Sequence, residues 1–251
     1  MYQNTQLQNE LYHEMRKQNV FVNQPDNYFL QGGSKTAQGY DENQFSLPRW
    51  QDITISRAGM YDDLYAHTPT MGWMFVPIGD YHAGGSAAAF EPLEDNVAAY
   101  NMALAQYLGA GVAACYRGDV LFQGAQSESV VKKWSKFYRQ HRSTLTQPIV
   151  HLRRADGQGW DGFIHVNPFK LGQNNGNGDE MGVAMLFNPT EDVIRTEIAL
   201  PLYYTGLTTT AMVGHEEGPP VSMTLERDYS VILSVTLAPN RPTYYVISAP
   251  K

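Results

Sequence analysis

The chain has 251 residues, 43% of them hydrophobic, which is enough to fill the core of one large domain or of two domains of about 100 to 150 residues. Its 25 acidic and 18 basic side chains give a formal charge of −7, which disfavours partners such as nucleic acid or an anionic membrane. The single cysteine, Cys115, excludes an intrachain disulfide, and its apolar neighbours favour a buried thiol over a nucleophile.

The first half of the chain alternates between helices and short β-rich runs. Leu7, Leu11 and Met15 follow one another at steps of four and predict an amphipathic helix near the N-terminus. An Ala-rich run over residues 96–109 predicts a second helix, with Gly109 in a left-handed cap. Buried strands are predicted near residues 20–22, 52–57, 72–78 and 111–116. Because strands and helices alternate, we expect these strands to be parallel.

Each of these predicted strands turns polar at its C-terminal end. The polar segments are residues 23–26, 57–63, 80–82 and 117–119. Active sites of (β/α)8 barrels are built at this end of the strands, so the asymmetry favours the catalytic face of a barrel. For any single strand, an ordinary strand-to-loop transition explains the same polarity.

The predicted strands are too few for a closed barrel, which needs eight. We therefore expect residues 1–147 to form the C-terminal half of a (β/α)8 TIM barrel, equivalent to strands 5–8. The N-terminal helix would then follow a strand that precedes Met1. The other half-barrel is expected as a partner, either in the same longer chain or in an oligomer, because the open flank of a half sheet promotes aggregation.

Residues 130–168 mark the change from α/β to all-β structure. A helix that carries Trp134 and Phe137 ends before Pro148. From residue 148 to residue 251, short β-rich runs separated by Gly, Pro, Asn and Asp predict an antiparallel β-sandwich. The same helix carries a basic group, interpreted as a solvated face, made up of Lys132, Lys133, Lys136, Arg139 and Arg142.

Motifs around this boundary resemble those of the alpha-galactosidase clan of retaining glycoside hydrolases, and most closely its glycoside hydrolase family 36 branch. They are the helix motif WSKFYRQHR, the strand motif WDGF and the turn motif FNPT, in that order along the chain. The resemblance implies the last part of a catalytic barrel followed by a sandwich, and retaining acid/base hydrolysis of a carbohydrate. It also implies that the nucleophile follows the fourth barrel strand, so no residue of this chain takes that role.

Two further segments extend the resemblance toward the acid/base residue. QGGSK, with GYDE just after it, is similar to the loop after the fifth barrel strand, and ITISRAGMYDD is similar to the sixth strand, whose end carries the acid/base aspartate. Where the family has Ser-Asp, this chain has Ser56-Arg57. The resemblance therefore implies Asp62 as the catalytic acid/base candidate, with Arg57 orienting it or holding a sugar hydroxyl. A helix N-cap or a loop salt bridge explains Asp62 equally well.

Four acidic or histidine side chains are candidates for sugar contacts. Asp41 and Glu42 lie beside aromatic residues in a loop with glycines, a mixture that suits sugar hydroxyls and apolar sugar faces. An exposed acidic pair explains them equally well. Asp80 and His82 lie at the end of the third predicted strand, where they could bind hydroxyls. Two such ligands without a third do not predict a metal, so we expect none.

Arg117 and Trp73 complete the predicted substrate-binding set. Arg117 is a candidate clamp for a hydroxyl or carboxylate group, and Trp73 is a candidate platform for a sugar ring. Burial in the core is the alternative for Trp73. The sequence contains no G-x-S-x-G elbow, phosphate loop or dinucleotide fingerprint, and no cofactor is expected.

These observations leave two hypotheses about function. The first is a glycoside hydrolase that acts on a carbohydrate substrate at the mouth of a barrel, active as a glycosidase once completed by the N-terminal half-barrel. The second is a non-catalytic carbohydrate-binding or scaffold protein that keeps the sandwich and the loops. A retaining mechanism needs two carboxyl groups about 5 to 5.5 Å apart. The resemblance places only one of them, the acid/base group, in this chain, so the chain alone is not expected to be a catalyst.

Overall fold

The computed structural model describes residues 47–66, 73–80, 85–170 and 180–250, and some residues between 7 and 20. The described residues between 7 and 17 are helical, as predicted for the N-terminal segment. Residues 21 and 22 of the first predicted strand lie outside the described residues, as do Asp41, Glu42 and His82. In the part of the chain that the structure describes, no helix is long and apolar enough to span a membrane.

Helix α1 (Arg49–Ala66) occupies the segment in which the sequence predicts a strand at residues 52–57, so that prediction is wrong. Pro48 directly precedes the helix, where its missing amide costs no hydrogen bond, and its carbonyl accepts the first helical bond from the Asp52 amide at 2.9 Å. The buried side chains recur with the helical period and are Asp52, Ile53, Ser56 and Arg57. Burial of this face outweighs the modest helix penalty of the β-branched residues in the segment.

Two strands and the helix between them form a parallel unit, as predicted. Strand β1 (Trp73–Pro77) and strand β2 (Ala113–Arg117) pair in parallel, from Trp73 beside Ala113 to Pro77 beside Arg117. Helix α2 (Val97–Gly109) connects them and is buried over most of its surface. A parallel pair needs such a crossover because its strands start at the same edge.

The end of α2 differs from the prediction in one detail. The helix ends at Gly109, but the following residue, Ala110, is right-handed, and the left-handed position is Gly111, with φ +77°. A Cβ at residue 111 would also collide with the carbonyl oxygen of Leu145. Glycine is therefore required two residues later than predicted, because both the dihedral angle and the close backbone approach exclude a side chain.

Helix α3 (Ala125–Leu145) ends before Pro148, as predicted, and buries Trp134 and Phe137. Its basic face is only partly solvated. The Lys133 Nζ lies 3.0 Å from the Glu216 Oε1, and the Lys136 Nζ lies 2.6 Å from the Glu217 Oε1, so each lysine forms an ion pair. The basic residues of α3 thus help to hold the helix against a turn of the sandwich.

The remaining strands form two antiparallel sheets, and the predicted antiparallel pairing is confirmed. The six-stranded sheet has the order β3-β4-β5-β10-β7-β8, and the second sheet pairs β6 with β9. The strand bounds are β3 (Ile149–Arg153), β4 (Asp161–Val166), β5 (Glu180–Asn188), β6 (Ile194–Pro201), β7 (Thr210–His215), β8 (Val221–Thr224), β9 (Ser230–Leu237) and β10 (Arg241–Ser248).

The central part of the six-stranded sheet, at β4, β5 and β10, is covered on both faces. Alternate residues of β4 and β5, such as Phe163 and Met185, pack against the helices of the α/β unit. Their neighbours, such as Ile164 and Ala184, pack against the second sheet. The interior of β5, from Met181 to Phe187, is therefore apolar throughout, as in strands that are buried on both faces. Strand β4 is also buried along its length, but it includes the polar residues Asp161 and His165.

Candidate functional site

A polar cleft opens at the carboxyl ends of β1 and β2. It encloses about 360 Å³ and is lined by Gly79, Asp80, Glu91, Arg117, Gly118 and Asp119. Parallel strands end at the same edge of a sheet, so the side chains that follow β1 and β2 meet there. Of the residues predicted from the sequence, the structure brings Asp80 and Arg117 together in this cleft.

Backbone hydrogen bonds fix the floor of the cleft. The Gly79 amide donates to the Arg117 carbonyl at 2.9 Å, and the Glu91 amide donates to the Ile78 carbonyl at 2.8 Å. A Cβ at Gly118 would come within 2.7 Å of the Ile78 Cβ, so only glycine allows the two strand ends to lie this close. These bonds place Glu91 beside Asp80, although ten positions separate them in the sequence.

Side-chain hydrogen bonds join the two loops that carry the lining residues. Gln123 accepts from the Leu93 amide at 2.7 Å and donates from Nε2 to the Glu91 Oε1 at 3.1 Å. Glu94 accepts from the amide and the hydroxyl of Ser127 at 2.9 and 2.6 Å, and these bonds lower the pKa of the Glu94 carboxyl. The carboxylate also faces the positive end of the α3 dipole. The loop after β2 is thereby fastened to the loop after β1.

Among the described residues, three carboxylates and one guanidinium give the cleft its charge. Asp80 and Asp119 are exposed, whereas Glu91 and Arg117 are half-buried. Carboxylates accept hydrogen bonds and a guanidinium donates them, so together they complement a ligand whose groups both donate and accept. Among the described residues, no three His, Cys, Asp or Glu side chains are arranged to hold a metal ion.

An apolar tip follows the cleft in the chain. Val120, Leu121 and Phe122 are 43%, 42% and 45% exposed, directly after Asp119. The tip is held in place by Tyr100, whose hydroxyl donates to the Leu121 carbonyl at 2.9 Å. Burial, with Tyr116 nearby, raises the pKa of Tyr100, so its hydroxyl stays protonated and remains a donor.

Arg57 does not lie in the cleft. Its side chain is buried between α1 and the sandwich, where Nε donates to Asp161 Oδ2 at 3.0 Å and Nη2 donates to Oδ1. The guanidinium also lies 3.5 Å from the centre of the Phe187 ring. These contacts give Arg57 a structural role as the link between the helix and strands β4 and β5.

The direction of α1 bears on the acid/base prediction. At its start, Arg49 donates from Nε to the Ala89 carbonyl at 2.7 Å, close to the cleft loop. Further along, Ser56 hydrogen-bonds Tyr107 in the last turn of α2, and the Tyr61 ring lies 4.3 Å from the His151 ring of β3. The helix thus runs from the cleft loop toward the sandwich. Asp62 follows Tyr61, and its own side chain is outside the description.

The remaining predicted residues divide into two groups. Trp73 is the first residue of β1 and therefore lies at the strand end opposite Asp80; its side chain is outside the description. Asp41, Glu42 and His82 lie outside the described residues.

The structure adds two residues that were not singled out from the sequence. Asp119 belongs to the same polar segment at the end of β2 as Arg117, which lies two positions before it in the sequence. Glu91 has no such signal because it lies on a returning loop, and only the loop's bonds to the end of β1 bring it to the cleft.

No protein-family model and no curated protein sequence matches the chain. Among solved structures, it is similar to a GH27 β-L-arabinopyranosidase from Geobacillus stearothermophilus, with a TM-score of 0.51 and 11% identity over 80% of this chain and 42% of that one. It is also similar to the galactosidase domain of an alpha-galactosidase-sucrose kinase, with a TM-score of 0.52 and 8% identity over 79% of this chain and 24% of that one. An Anoxybacillus alpha-amylase gives a TM-score of 0.49 and 10% identity over 85% of this chain and 52% of that one.

These similarities concern the fold. At about a tenth sequence identity, the chain shares the fold of glycoside hydrolases of the alpha-galactosidase type, and the resemblance seen in the sequence motifs is confirmed at that level. The chain spans less than half of the arabinopyranosidase and about a quarter of the galactosidase domain chain.

Proposed function

We propose that this chain supplies the last part of the catalytic barrel, which includes the parallel pair β1 and β2, together with the sandwich of a retaining glycoside hydrolase. The observation that carries the proposal is the convergence of Asp80, Glu91, Arg117 and Asp119 in one cleft at the carboxyl edge of a parallel strand pair. Active sites of (β/α)8 barrels lie at this edge, on the loops that follow the strands. The fold shared with glycosidases supports the same assignment.

A sugar is the ligand that best matches the chemistry of the cleft. Each sugar hydroxyl donates one hydrogen bond and accepts others, so carboxylates and a guanidinium side by side satisfy neighbouring hydroxyls. The apolar tip beginning at Val120 offers a surface for the C–H face of a sugar ring. The net charge of −7 favours such a neutral ligand over a polyanion.

The retaining reaction assigns separate roles to two carboxyl groups. One attacks the anomeric carbon to form a glycosyl-enzyme, while the other protonates the leaving oxygen and then removes a proton from the water that hydrolyses the intermediate. We propose that this chain supplies the proton-transferring group and that the nucleophile comes from the other half-barrel. The position of Asp80 and Asp119 in the cleft supports them for this role over Asp62, the candidate from sequence.

Other parts of the chain are assigned supporting roles in the same proposal. Asp41, Glu42 and His82 stay candidates for further sugar contacts, and Trp73 stays a candidate platform. The partner that completes the barrel is a preceding segment of the same protein or a second subunit. The alignment with less than half of the arabinopyranosidase supports a requirement for that partner.

Replacement of Arg117 tests the sugar-binding part of the proposal. In Arg117→Ala, we expect the affinity for methyl α-galactopyranoside or methyl β-L-arabinopyranoside to fall about tenfold or more, because charge-assisted hydrogen bonds are lost. Binding is measured by NMR titration. Arg195→Ala, which removes an exposed arginine on β6, is the matched control and should bind as the wild type does. Equal affinity in both variants would contradict sugar binding at the cleft.

The same variants separate the enzyme from the non-catalytic alternative. The protein with its barrel completed is assayed on aryl glycosides with good and poor leaving groups. If Asp80 or Asp119 is the acid, its change to Asn slows the substrate with the poor leaving group more, because that oxygen needs the proton most. Asp62→Asn is assayed beside them, and Asp192→Asn, an exposed aspartate of the β5–β6 turn, is the control. Sugar binding without turnover would favour a carbohydrate-binding protein.

A further inference from the structure

A second concave site lies on the sandwich, away from the polar cleft. It is a groove of about 640 Å³ between α1, the start of β3 and two short 3₁₀ turns, and we name it the edge groove. Its lining includes Tyr61, Pro148, His151, Val166, Phe169 and Tyr204. None of the described residues lines both the edge groove and the polar cleft. Its volume is in the range of pockets that hold small ligands.

The aromatic residues of the edge groove are unusually accessible. Phe169 is 70% exposed and Tyr204 is 60% exposed, although both are large and largely apolar. Single exposed apolar residues are common, but here two of them line one concavity together with Tyr61. The groove therefore offers exposed aromatic surface to a ligand, in contrast to a closed apolar cavity.

Polar groups lie beside this aromatic surface. Tyr61 and Tyr204 carry hydroxyls, and the Tyr61 ring lies 4.3 Å from the ring of His151, whose two nitrogens are buried. An aromatic face is electron-rich and attracts weakly positive C–H groups, whereas hydroxyls exchange hydrogen bonds. The combination fits a ligand with a flat C–H face and a rim of hydroxyls, and fits a purely apolar ligand less well.

We infer that the edge groove is a second carbohydrate-binding site, which takes a pyranose ring of an oligosaccharide by stacking on Tyr204 and Phe169. The inference goes beyond the proposed catalytic cleft and does not depend on it, since the described residues that line the two sites are different. Such a site would keep a long or insoluble substrate attached to the protein, which raises the local substrate concentration.

The test is an NMR titration of the 251-residue chain with raffinose, followed at the amides of β3 and of the Tyr203–Thr205 turn. In the wild type, both segments should shift and saturate. In Tyr204→Ala, we expect the affinity of the edge groove to fall about tenfold, whereas Tyr204→Phe should keep most of it, because the ring supplies the stacking surface.

Two controls show whether the sugar binds in the edge groove itself. Tyr203→Ala removes the adjacent tyrosine, which is 62% exposed but does not line the groove, and should weaken binding less than Tyr204→Ala does. Arg117→Ala should leave the edge-groove shifts unchanged even if it abolishes binding at the cleft. The inference is overturned if raffinose shifts only cleft residues, if the shifts do not saturate, or if the Tyr203 and Tyr204 variants lose affinity equally. Shifts produced by an extended peptide but not by raffinose would instead identify the groove as a strand-addition site on β3 and would also overturn it.

Discussion

His165 is a fully buried histidine at the junction of the α/β unit and the sandwich. Its Nε2 lies 2.8 Å from the Gly109 carbonyl, and its Nδ1 lies 3.1 Å from the Gln147 carbonyl. Burial lowers the pKa of His165 to about 4, even though both carbonyls favour the protonated ring. The native protein therefore keeps this ring neutral, with one N–H to share between two acceptors.

The depressed pKa predicts an acid-sensitive fold. In the unfolded chain, His165 binds a proton as the pH falls below 6.5, whereas in the native protein it binds one only near pH 4. The free energy of unfolding should fall over that window, by up to about 3 kcal/mol, and the loss is complete at the native pKa. Urea denaturation at a series of pH values measures it, and His165→Gln should flatten the slope.

An exposed histidine provides the control for this experiment. The matched comparison is His215→Gln, which replaces an exposed histidine at the end of β7. The carboxyls with lowered pKa, those of Glu94, Glu217 and Asp228, lose their stabilising contribution only as the pH falls below their ordinary values of 4.5 and 3.8. A slope in His165→Gln as steep as in the wild type would contradict the assignment.

At the scale of single residues, the sequence predicts those site positions that a strand places directly. Asp80 and Arg117 follow β1 and β2, and the polar ends of these strands indicate them without a structure. Glu91 reaches the same cleft through a loop whose course depends on hydrogen bonds to Ile78 and Gln123. Its position results from tertiary contacts that leave no local pattern, so it was not predictable.

Among the elements, helix α1 shows how tertiary contacts override a local pattern. The run from Ile53 to Ile55 has the composition of a strand, yet the segment is helical because its inner face packs on α2 and the sandwich. The sandwich strands were predictable because each alternates or is apolar throughout and ends at a turn. The helical period places Arg57 on the same inner face as Ile53, and there it pairs with Asp161. In a strand, successive residues would point to opposite faces.

Removal of one member of this pair should be costly. In Arg57→Met, the Asp161 charge stays buried without its partner, and the free energy of unfolding should fall by about 3 to 5 kcal/mol. The double variant Arg57→Met with Asp161→Asn should recover part of the loss, because no charge remains buried. Chemical denaturation measures both.

An exposed ion pair serves as the comparison for this prediction. On α3, the Lys132 Nζ lies 2.7 Å from the Glu128 Oε1, and the Lys132 side chain is largely exposed. Lys132→Met should change the free energy of unfolding by about 1 kcal/mol or less. If Arg57→Met were as mild as Lys132→Met, the pair would not hold α1 to the sandwich.

For the molecule as a whole, the two predicted domains share one of their cores. Phe163, Met185 and Tyr244 of the sandwich belong to the same apolar cluster as Trp134 and Phe137 of α3. The sequence places the boundary at residue 147 because the pattern of elements changes there, and that boundary stays a prediction. The periodicity of apolar residues predicts the type of each element but not which element packs on it. The shared cluster could therefore not be predicted from the sequence.

The shared cluster predicts that residues 148–251 do not form a stable domain alone. Without the helices, one face of β4, β5 and β10 would expose its apolar side chains to water, and the fragment should bind a hydrophobic dye and aggregate. Size-exclusion chromatography and amide NMR dispersion check this. The same fragment with Phe163→Lys and Met185→Lys should be more soluble, because both residues belong to the face that the helices cover. A dispersed, monomeric spectrum for the unmodified fragment would contradict the prediction.

Strand β10 comes after β5 and β7 in the chain but lies between them in the middle of the six-stranded sheet. Because a ribosome releases the chain from its N-terminus, β5 and β7 each lack a neighbour until β10 has emerged. The sheet therefore stays divided into β3-β4-β5 and β7-β8 during that part of synthesis. Until β10 inserts, the facing edges of β5 and β7 are open, and chaperones that bind extended apolar segments have a substrate there.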